Sequence, residues 1–392
     1  MDITVADYRW LTGTAAEESL AESIRADEDP LTLVTRLRKS LNPVQAHLIA
    51  EQVTLRRRAR RKFARADRML FTALGLQQAT GDALATYKAS RFAQDENIAD
   101  LCCGLGGDLL GLARRTTVEG VEQDEIAALL GAYNLRVING RGSVTCGDAM
   151  QIDLERRGGW HMDPDRRPEG HRTVDPARYR PSLKQIADLL RRNPHASIKI
   201  APAADFVLPC SDACERQWLG WDRECQQQVI WSGNLARDAG RRSASVIDDR
   251  GDEMGRVVGS GNERVEVSNL GAYLIEPHPA VIAARLVDAF AEQHGLVRID
   301  HRVAYLSGDH PTDACGAASF EVLECVPFDE RTLRAALKRR GLYPTEIKKR
   351  GVDLDPRTLS KRLRSCGDRP GALIVTPAAG RTWAILAQRE GA

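Results

Sequence analysis

The sequence predicts a doubly wound α/β core, preceded by a helical domain and followed by a small α+β domain. Three observations predict it. Between about residues 94 and 247, short β-type runs alternate with helical stretches, the pattern that builds a mostly parallel sheet covered on both faces. Within it, Asn97-Ile-Ala-Asp-Leu-Cys-Cys-Gly-Leu-Gly-Gly-Asp108 reads as a short buried strand ending in an acid, then a glycine turn, then a helix start. On either side the pattern changes: residues 1–93 show only helical stripes, while the tail alternates strands with two capped helices.

Taken in order, Asp29-Pro30 and Asn42-Pro43 are cap-then-proline helix starts. Leu33, Leu37 and Leu41 form one stripe after them, and Val44, Leu48, Gln52 and Leu55 another. The basic run Arg56–Arg65 continues this second helix, with Phe63, Leu70 and Leu74 expected to turn inward and Gly75 to stop it. Asp82–Phe92 reads as one more helix. The core strands are expected at Ile98–Leu101, Thr117–Val121 running into Glu122, Ser143–Cys146, Trp160–Met162 and Ser197–Ile200. A helix with Ala127, Leu130 and Asn134 follows the second strand, and Pro181–Leu190 is another. Gln228–Trp231 and Ser243–Ile247 read as a last strand pair, and Asp248–Asn269, rich in Gly, Asp and Arg, as a surface loop or irregular hairpin. In the tail, Phe320–Cys325 alternates like a strand and Asp329 caps a helix that stops at Gly341. Glu346–Arg350 is a basic strand, Asp355-Pro356 starts a helix, and Ala372–Val375 with Thr382–Leu386 closes as a strand pair. The expected division is therefore 1–93, 94–270, a connecting segment 271–318, and 319–392.

At 392 residues the chain has room for two or three cored domains. No run approaches the roughly 18 apolar residues of a membrane span, so no membrane association is expected. The start, Met1-Asp-Ile-Thr-Val-Ala-Asp7, lacks the basic and apolar regions of an export signal. Nine cysteines, an odd number, suit reduced thiols in a cytoplasm better than a disulfide framework. Cys210, Cys214 and Cys225 lack a fourth ligand at finger-like spacing, so no metal is expected.

The net charge of +2 hides an asymmetry. Residues 331–364 carry twelve Lys/Arg against three Asp/Glu, a local +9, which leaves +2 − 9 = −7 for the rest. The segment 56–65 is a second basic cluster. Two such patches on an otherwise slightly acidic chain point to a polyanion, expected to be RNA, because each neutralised phosphate releases counterions. Arg-rich faces that are merely solvated are the alternative.

The chemistry concentrates at the ends of the core strands. In open α/β sheets, ligands bind where a strand's carboxyl end runs into a helix. Gly104, Gly106 and Gly107 let backbone and ligand approach closely, and their spacing departs from the Gly-x-Gly-x-x-Gly of dinucleotide binders. Asp100 precedes them. Glu122, twenty-two residues on, is placed to accept from both hydroxyls of a ribose, and Asp148 from an adenine amino group. One acid at a strand end commonly just caps the next helix. Three in succession beside a glycine turn outline an adenosine-shaped site, and no Gly-x-x-x-x-Gly-Lys-Ser/Thr loop is present to take phosphates.

After the fourth strand comes Asp163-Pro164-Asp165-Arg166. An acidic side chain and a backbone carbonyl there can accept the two hydrogens of an exocyclic amine and turn its lone pair outward, with Pro164 fixing φ. Val174-Asp-Pro-Ala-Arg-Tyr179 is the competing motif, without a convincing strand before it; Asp163 is preferred and Asp175 is the alternative. His161 and His171 lie near either choice, and neither receives a catalytic role.

Motif by motif, Asp-Leu-Cys-Cys-Gly-Leu-Gly-Gly-Asp (100–108), Gly-Val-Glu-x-Asp (120–124) with Asn134 downstream, Gly-Asp-Ala (147–149) and Asp-Pro-x-Arg (163–166) resemble one branch of the class I S-adenosylmethionine (SAM) methyltransferases. The branch pairs a Rossmann-like methyltransferase sheet with a C-terminal THUMP-like domain in bacteria and is distantly similar to trimethylguanosine synthases. The N-terminal helices, Lys199-Ile-Ala-Pro202 and Glu276-Pro-His-Pro279 fit it too. The resemblance implies that Asp100, Gly104, Gly106, Gly107, Glu122 and Asp148 hold SAM, joined by Asp108 and Ala149 from the same motifs. It implies that Asp163 and Pro164, continuing into Asp165 and Arg166, face the acceptor, and that the tail docks RNA. Amino-methylating members usually carry a second proline and then an aromatic ring after Asp-Pro; here Asp165 and Arg166 stand instead, and an Arg plane can also stack on a base. The expected activity is SAM-dependent methylation of a base nitrogen in structured RNA. Methylation of a small molecule or protein, and a non-catalytic RNA-binding protein on the same scaffold, are the alternatives.

Overall fold

The structure, a computed structural model, describes residues 3–26, 28–165, 175–204, 213–363 and 366–391. The chain divides into two compact units. One comprises Met1–Arg216, Gln227–Gly240 and Ile247–Glu253; the other comprises Gln217–Gln226, Arg241–Val246 and Met254–Ala392.

The first unit opens with helices α1 (Val5–Leu11), α2 (Thr14–Ala26), α3 (Pro30–Leu37), α4 (Pro43–Ala59), α5 (Ala73–Gln78) and α6 (Asp82–Ala89). Local chemistry sets two of their starts. The Asp29 carboxylate accepts from the N–H groups of Leu31 and Thr32, and Asn42 shares a reciprocal capping box with Gln45, each ahead of a proline at the first helical position. α4 stops at Ala59, so most of the basic run lies in the turns beyond it. Arg56 is buried and donates from Nε to the Met69 carbonyl at 2.8 Å. Phe63 and Leu70 do turn inward, but Leu74 is 50% exposed. Gly75 lies inside α5 rather than ending a helix, because a Cβ there would meet the Leu105 side chain at 2.3 Å.

The strands and helices that follow are β1 (Asn97–Leu101), α7 (Gly107–Ala113), β2 (Thr117–Glu122), α8 (Glu125–Val137), β3 (Gly142–Cys146), β4 (Gly159–Met162), α9 (Leu183–Arg192), β5 (Ala196–Ile200), β6 (Glu215–Trp221), β7 (Glu224–Ser232), β8 (Arg242–Ile247) and β9 (Glu253–Gly259). In the first unit the spatial order is β3-β2-β1-β4-β5-β7. All neighbours are parallel except β7 against β5. The order reverses between β1 and β4, the crevice where open α/β sheets take ligands. Along these strands Ala99, Leu101, Trp160, Met162, Ile198 and Ile200 join one buried cluster with Ile186, Leu189 and Leu190 of α9. The alternating positions Asp100, His161, Ser197 and Lys199 point to the other face and are buried as well.

Two expectations change here. β6 was not foreseen, and Gln228–Trp231 of β7 pairs antiparallel with Ser197–Ile200 of β5 in place of the expected pairing with Ser243–Ile247. The stretch 248–269, expected as a surface loop or irregular hairpin, contains β9, which lies beside β8 in the sheet.

In the second unit the chain continues through β10 (Tyr273–Glu276), α10 (Pro279–Ala283), α11 (Val287–His294), β11 (Val297–Arg298), β12 (Leu306–Gly308), β13 (Ala318–Pro327), α12 (Glu330–Arg340), β14 (Leu342–Lys349), α13 (Pro356–Leu363), β15 (Arg369–Ala378) and β16 (Arg381–Arg389). These strands make a seven-stranded sheet ordered β11-β12-β10-β13-β16-β15-β14. The stretch 271–318, read from sequence as a connection, therefore supplies β10, β11 and β12. Asp329 caps α12, and Gly341 ends it at φ 62°. Leu333, Leu337, Leu359 and Leu363 seat α12 and α13 on Leu373, Val375, Ala384 and Leu386 of the sheet. Among the described residues, no helix is long and apolar enough to cross a membrane.

Candidate active site

The site is built from the turn that leaves β1. The chain reverses through Cys102 (φ 59°), Gly104 (φ 55°) and Gly106 (φ 95°) and enters α7 at Gly107. Two glycines matter for different reasons. A Cβ on Gly107 would sit 2.7 and 2.8 Å from the backbone N and O of Thr80, so this position needs a close approach. A Cβ on Gly104 would meet nothing within 4 Å, so that part of the turn borders open space.

Parallel register brings the three strand-end acids to one end of the sheet. Glu122 pairs opposite Cys146, Leu101 opposite Val121, and Asp100 opposite Gly120. Glu122 Oε2 accepts from the Gly104 N–H and Oε1 from the Asp124 N–H, both at 2.9 Å, so this carboxylate also shapes the turn. Asp148 is exposed and accepts from the Met150 N–H at 2.9 Å, with Ala149 buried beside it. Asp100 is different. It is buried, and neither carboxylate oxygen has a hydrogen-bond partner among the described residues. Burial, and then the charge of Asp108, push its carboxyl well above the ordinary range.

Asp108 is fully engaged instead. Its carboxylate is ion-paired with Lys88 of α6, accepts from Thr80 Oγ1 at 2.7 Å, and lies 3.3 Å from His161 Nε2. Burial opposes its charge, but Lys88 and His161 outweigh burial and hold the carboxyl well below the usual carboxylate range. His161 Nδ1 is 3.0 Å from Ser197 Oγ. Burial lowers the His161 value despite Asp108, so the ring is neutral at pH 7.

At the exit of β4, the Asp163 N–H donates to the Leu101 carbonyl at 3.3 Å, tying this segment to β1. Lys199 Nζ lies 2.6 Å from Asp163 Oδ2 and also donates to the Gln78 carbonyl at 3.2 Å. Asp163 Oδ1 has no hydrogen-bond partner among the described residues, and the side chain is 26% exposed. Pro164 is buried, and Asp165 exchanges backbone hydrogen bonds with Arg180. Arg166 and His171 lie outside the described residues. The alternative acid, Asp175, is exposed and accepts from the Ala177 N–H at 3.0 Å, capping a short turn.

Lys88 was not singled out from sequence, Lys199 only as part of a motif, and His161 without a role. One signal was available: a lysine in the middle of a strand as buried as Ser-Ile-Lys-Ile must have an ionic partner. The bare Asp100 carboxyl, the space beside Gly104, Glu122 at the end of β2 and Asp148 past the end of β3 offer acceptors and room for an adenosine-like ligand.

Sheet order, glycine turn and strand-end acids together define a SAM-dependent methyltransferase. The comparisons agree. Two SAM-dependent methyltransferases of Mycobacterium tuberculosis, from strains CDC 1551 and H37Rv and themselves uncharacterised, are each 32% identical over 342 residues, covering 85% of this chain and 93% of theirs. Residues 317–389 match the THUMP domain-like family. A crystal structure from Porphyromonas gingivalis W83, described as a candidate methyltransferase, shares the fold with a TM-score of 0.76 at 18% identity, covering 95% of this chain and 98% of that one. The chain belongs to the SAM-dependent methyltransferases, in the form that carries a C-terminal THUMP-like domain.

Proposed function

We propose that this enzyme methylates a base nitrogen of structured RNA, with Asp163 facing the acceptor. The observation that carries the reading is the Asp163 carboxylate: half-buried at the exit of β4, one oxygen held by Lys199 and the other free. SAM would be held by Asp100, the backbone around Gly104 and Gly106, Glu122 and Asp148, with Gly107 and Ala149 shaping its bed and Asp108 fixing the helix beneath. When bound, SAM supplies a methyl group on an electrophilic sulfonium. The chain's own task is alignment. Asp163 Oδ1 accepts one hydrogen of the amine, a backbone carbonyl beside Pro164 accepts the other, and the lone pair is drawn out of conjugation. The amine sheds one proton on methylation, and the exposed edge of Asp163 passes it to water.

RNA as the substrate is supported by the THUMP-like match and by basic surface. After internal pairing of Arg334, Arg339, Arg340 and Arg362 with Glu330 and Glu324, Arg331, Lys338, Arg357 and Lys361 are exposed and make no ion pair among the described residues. The test incubates the protein with labelled SAM and RNA from cells lacking the gene. Label on a base is expected, and Asp163→Ala should lower transfer roughly 100-fold or more while SAM still binds. Label only in protein or small molecules would overturn the RNA reading. Full activity of Asp163→Ala would move the acceptor role to Asp175.

A further inference from the structure

The helix α5 occupies an unusual place for six residues. Gly75 packs against Leu105 in the glycine turn, and Thr80, two residues past the helix, packs against Gly107. Its carboxyl end is gripped by two lysines from elsewhere. Lys62 Nζ donates to the carbonyls of Leu76 (3.0 Å), Gln77 (3.3 Å) and Ala79 (3.0 Å), and Lys199 Nζ to that of Gln78 (3.2 Å). Cations belong at a helix carboxyl end, but Lys199 also holds Asp163. One ammonium group therefore joins α5 to the acidic residue at the exit of β4. The surface of α5 left uncovered is unexpected: Leu74 is 50% exposed and Gln78, one turn on at i+4, is exposed too. An exposed leucine one helical turn from an amide, on a helix that Lys199 ties to Asp163, suits an acceptor that is flat and apolar on its face and polar at its edge.

We propose that α5 is the acceptor-side wall of the site, with Leu74 and Gln78 meeting the target base and Lys199 acting as the positioning residue that sets this wall against Asp163. An aliphatic platform can meet the face of a base, the task that an aromatic ring after Asp-Pro performs in amino-methylating relatives, and the Gln78 amide offers a donor and an acceptor to a base edge. The inference rests on the RNA-base reading above.

The experiment uses the full chain, labelled SAM and RNA from cells lacking the gene. Leu74→Ser and Gln78→Ala alter exposed side chains, so folding is preserved. Each is expected to lower kcat/KM for RNA about tenfold, the scale of one apolar or edge contact, with SAM affinity within twofold of wild type. Leu74→Phe should retain or raise kcat/KM. Lys199→Met is expected to lower kcat with little change in RNA KM, and Lys199→Arg to recover part of it. Placed on Asp163→Ala, Lys199→Met should cost nothing further. Unchanged kcat/KM in both α5 variants overturns the wall while Asp163→Ala remains inactive, leaving the functional reading standing. A wild-type protein that labels no RNA removes that reading and this inference together.

Discussion

In the proposed site, Asp100 is the residue whose state bears most on cofactor binding. A buried carboxyl without a partner, raised above its ordinary 3.8, keeps its proton over a wider pH range than a free aspartate. A ligand that brings an ammonium group or hydroxyl donors favours the charged form and expels that proton. SAM binding is therefore expected to release protons and to tighten as pH rises towards the raised value, with no further gain above it. Calorimetry in buffers of different ionisation enthalpy reads the proton count, and Asp100→Asn should lose both the release and the pH dependence. Proton release undiminished in that variant would move the effect to another group. The acid itself was legible, because a strand ending in Asp before a glycine turn is a local pattern. Its bareness was not: that depends on Lys88 and His161 turning to Asp108 instead, which only the packed face of the sheet reveals.

At the scale of elements, legibility followed the range of the forces involved. The starts of α3, α4, α12 and α13 could be read because an Asp or Asn cap acts within three residues of itself. The parallel strands β1, β4 and β5 could be read because each is a short buried run, and β2 and β3 because Val and Thr recur between turn residues. β6 could not, since Glu-Arg-Gln-Trp-Leu-Gly-Trp owes its strand to a neighbour rather than to its own pattern. The exposure of Leu74 escaped for a related reason: α5 is oriented by Gly75 against Leu105, a contact 30 residues away in sequence. The same separation of free from consumed side chains bears on RNA. Of the basic residues on α12 and α13, those paired with Glu330 and Glu324 are already neutralised, which leaves Arg331, Lys338, Arg357 and Lys361 for phosphates. Replacing these four by glutamine in the full chain should reduce the slope of log affinity against log salt by about 3, at roughly 0.7–0.9 per phosphate contact. A slope that does not change would place the RNA contact elsewhere, with the exposed arginines around residues 57–65 next in line.

For the whole molecule, two compact units mean that heat or acid can act on each one differently, and the buried histidines assign a direction to each. In the first unit, burial lowers the His161 value below 6.5; Asp108 pulls it up and Lys88 pushes it down further. Between that lowered value and 6.5 the unfolded chain binds more protons than the folded one, so stability falls as pH drops through this window and levels off below it. Asp108 contributes nothing there. Its depressed carboxyl supplies stability above about 3.8 that is lost only as pH falls through its own low value. In the second unit His278 and His294 are likewise lowered by burial and act in the same window. On the proposed site SAM binds the first unit and raises its transition by mass action, about 2.7 kcal/mol at a hundredfold excess over Kd, which separates the two contributions. Calorimetric scans from pH 7 to pH 4.5, with and without SAM, should show the SAM-sensitive transition moving to lower temperature with acid. His161→Gln keeps a polar side chain facing Ser197 and Asp108 but cannot take a charge, so that transition should lose most of its acid sensitivity in the variant. The SAM-insensitive transition should keep its own, through His278 and His294. An unchanged acid response of the SAM-sensitive transition in His161→Gln would mean that the neutral imidazole beneath the glycine turn is not what acid attacks.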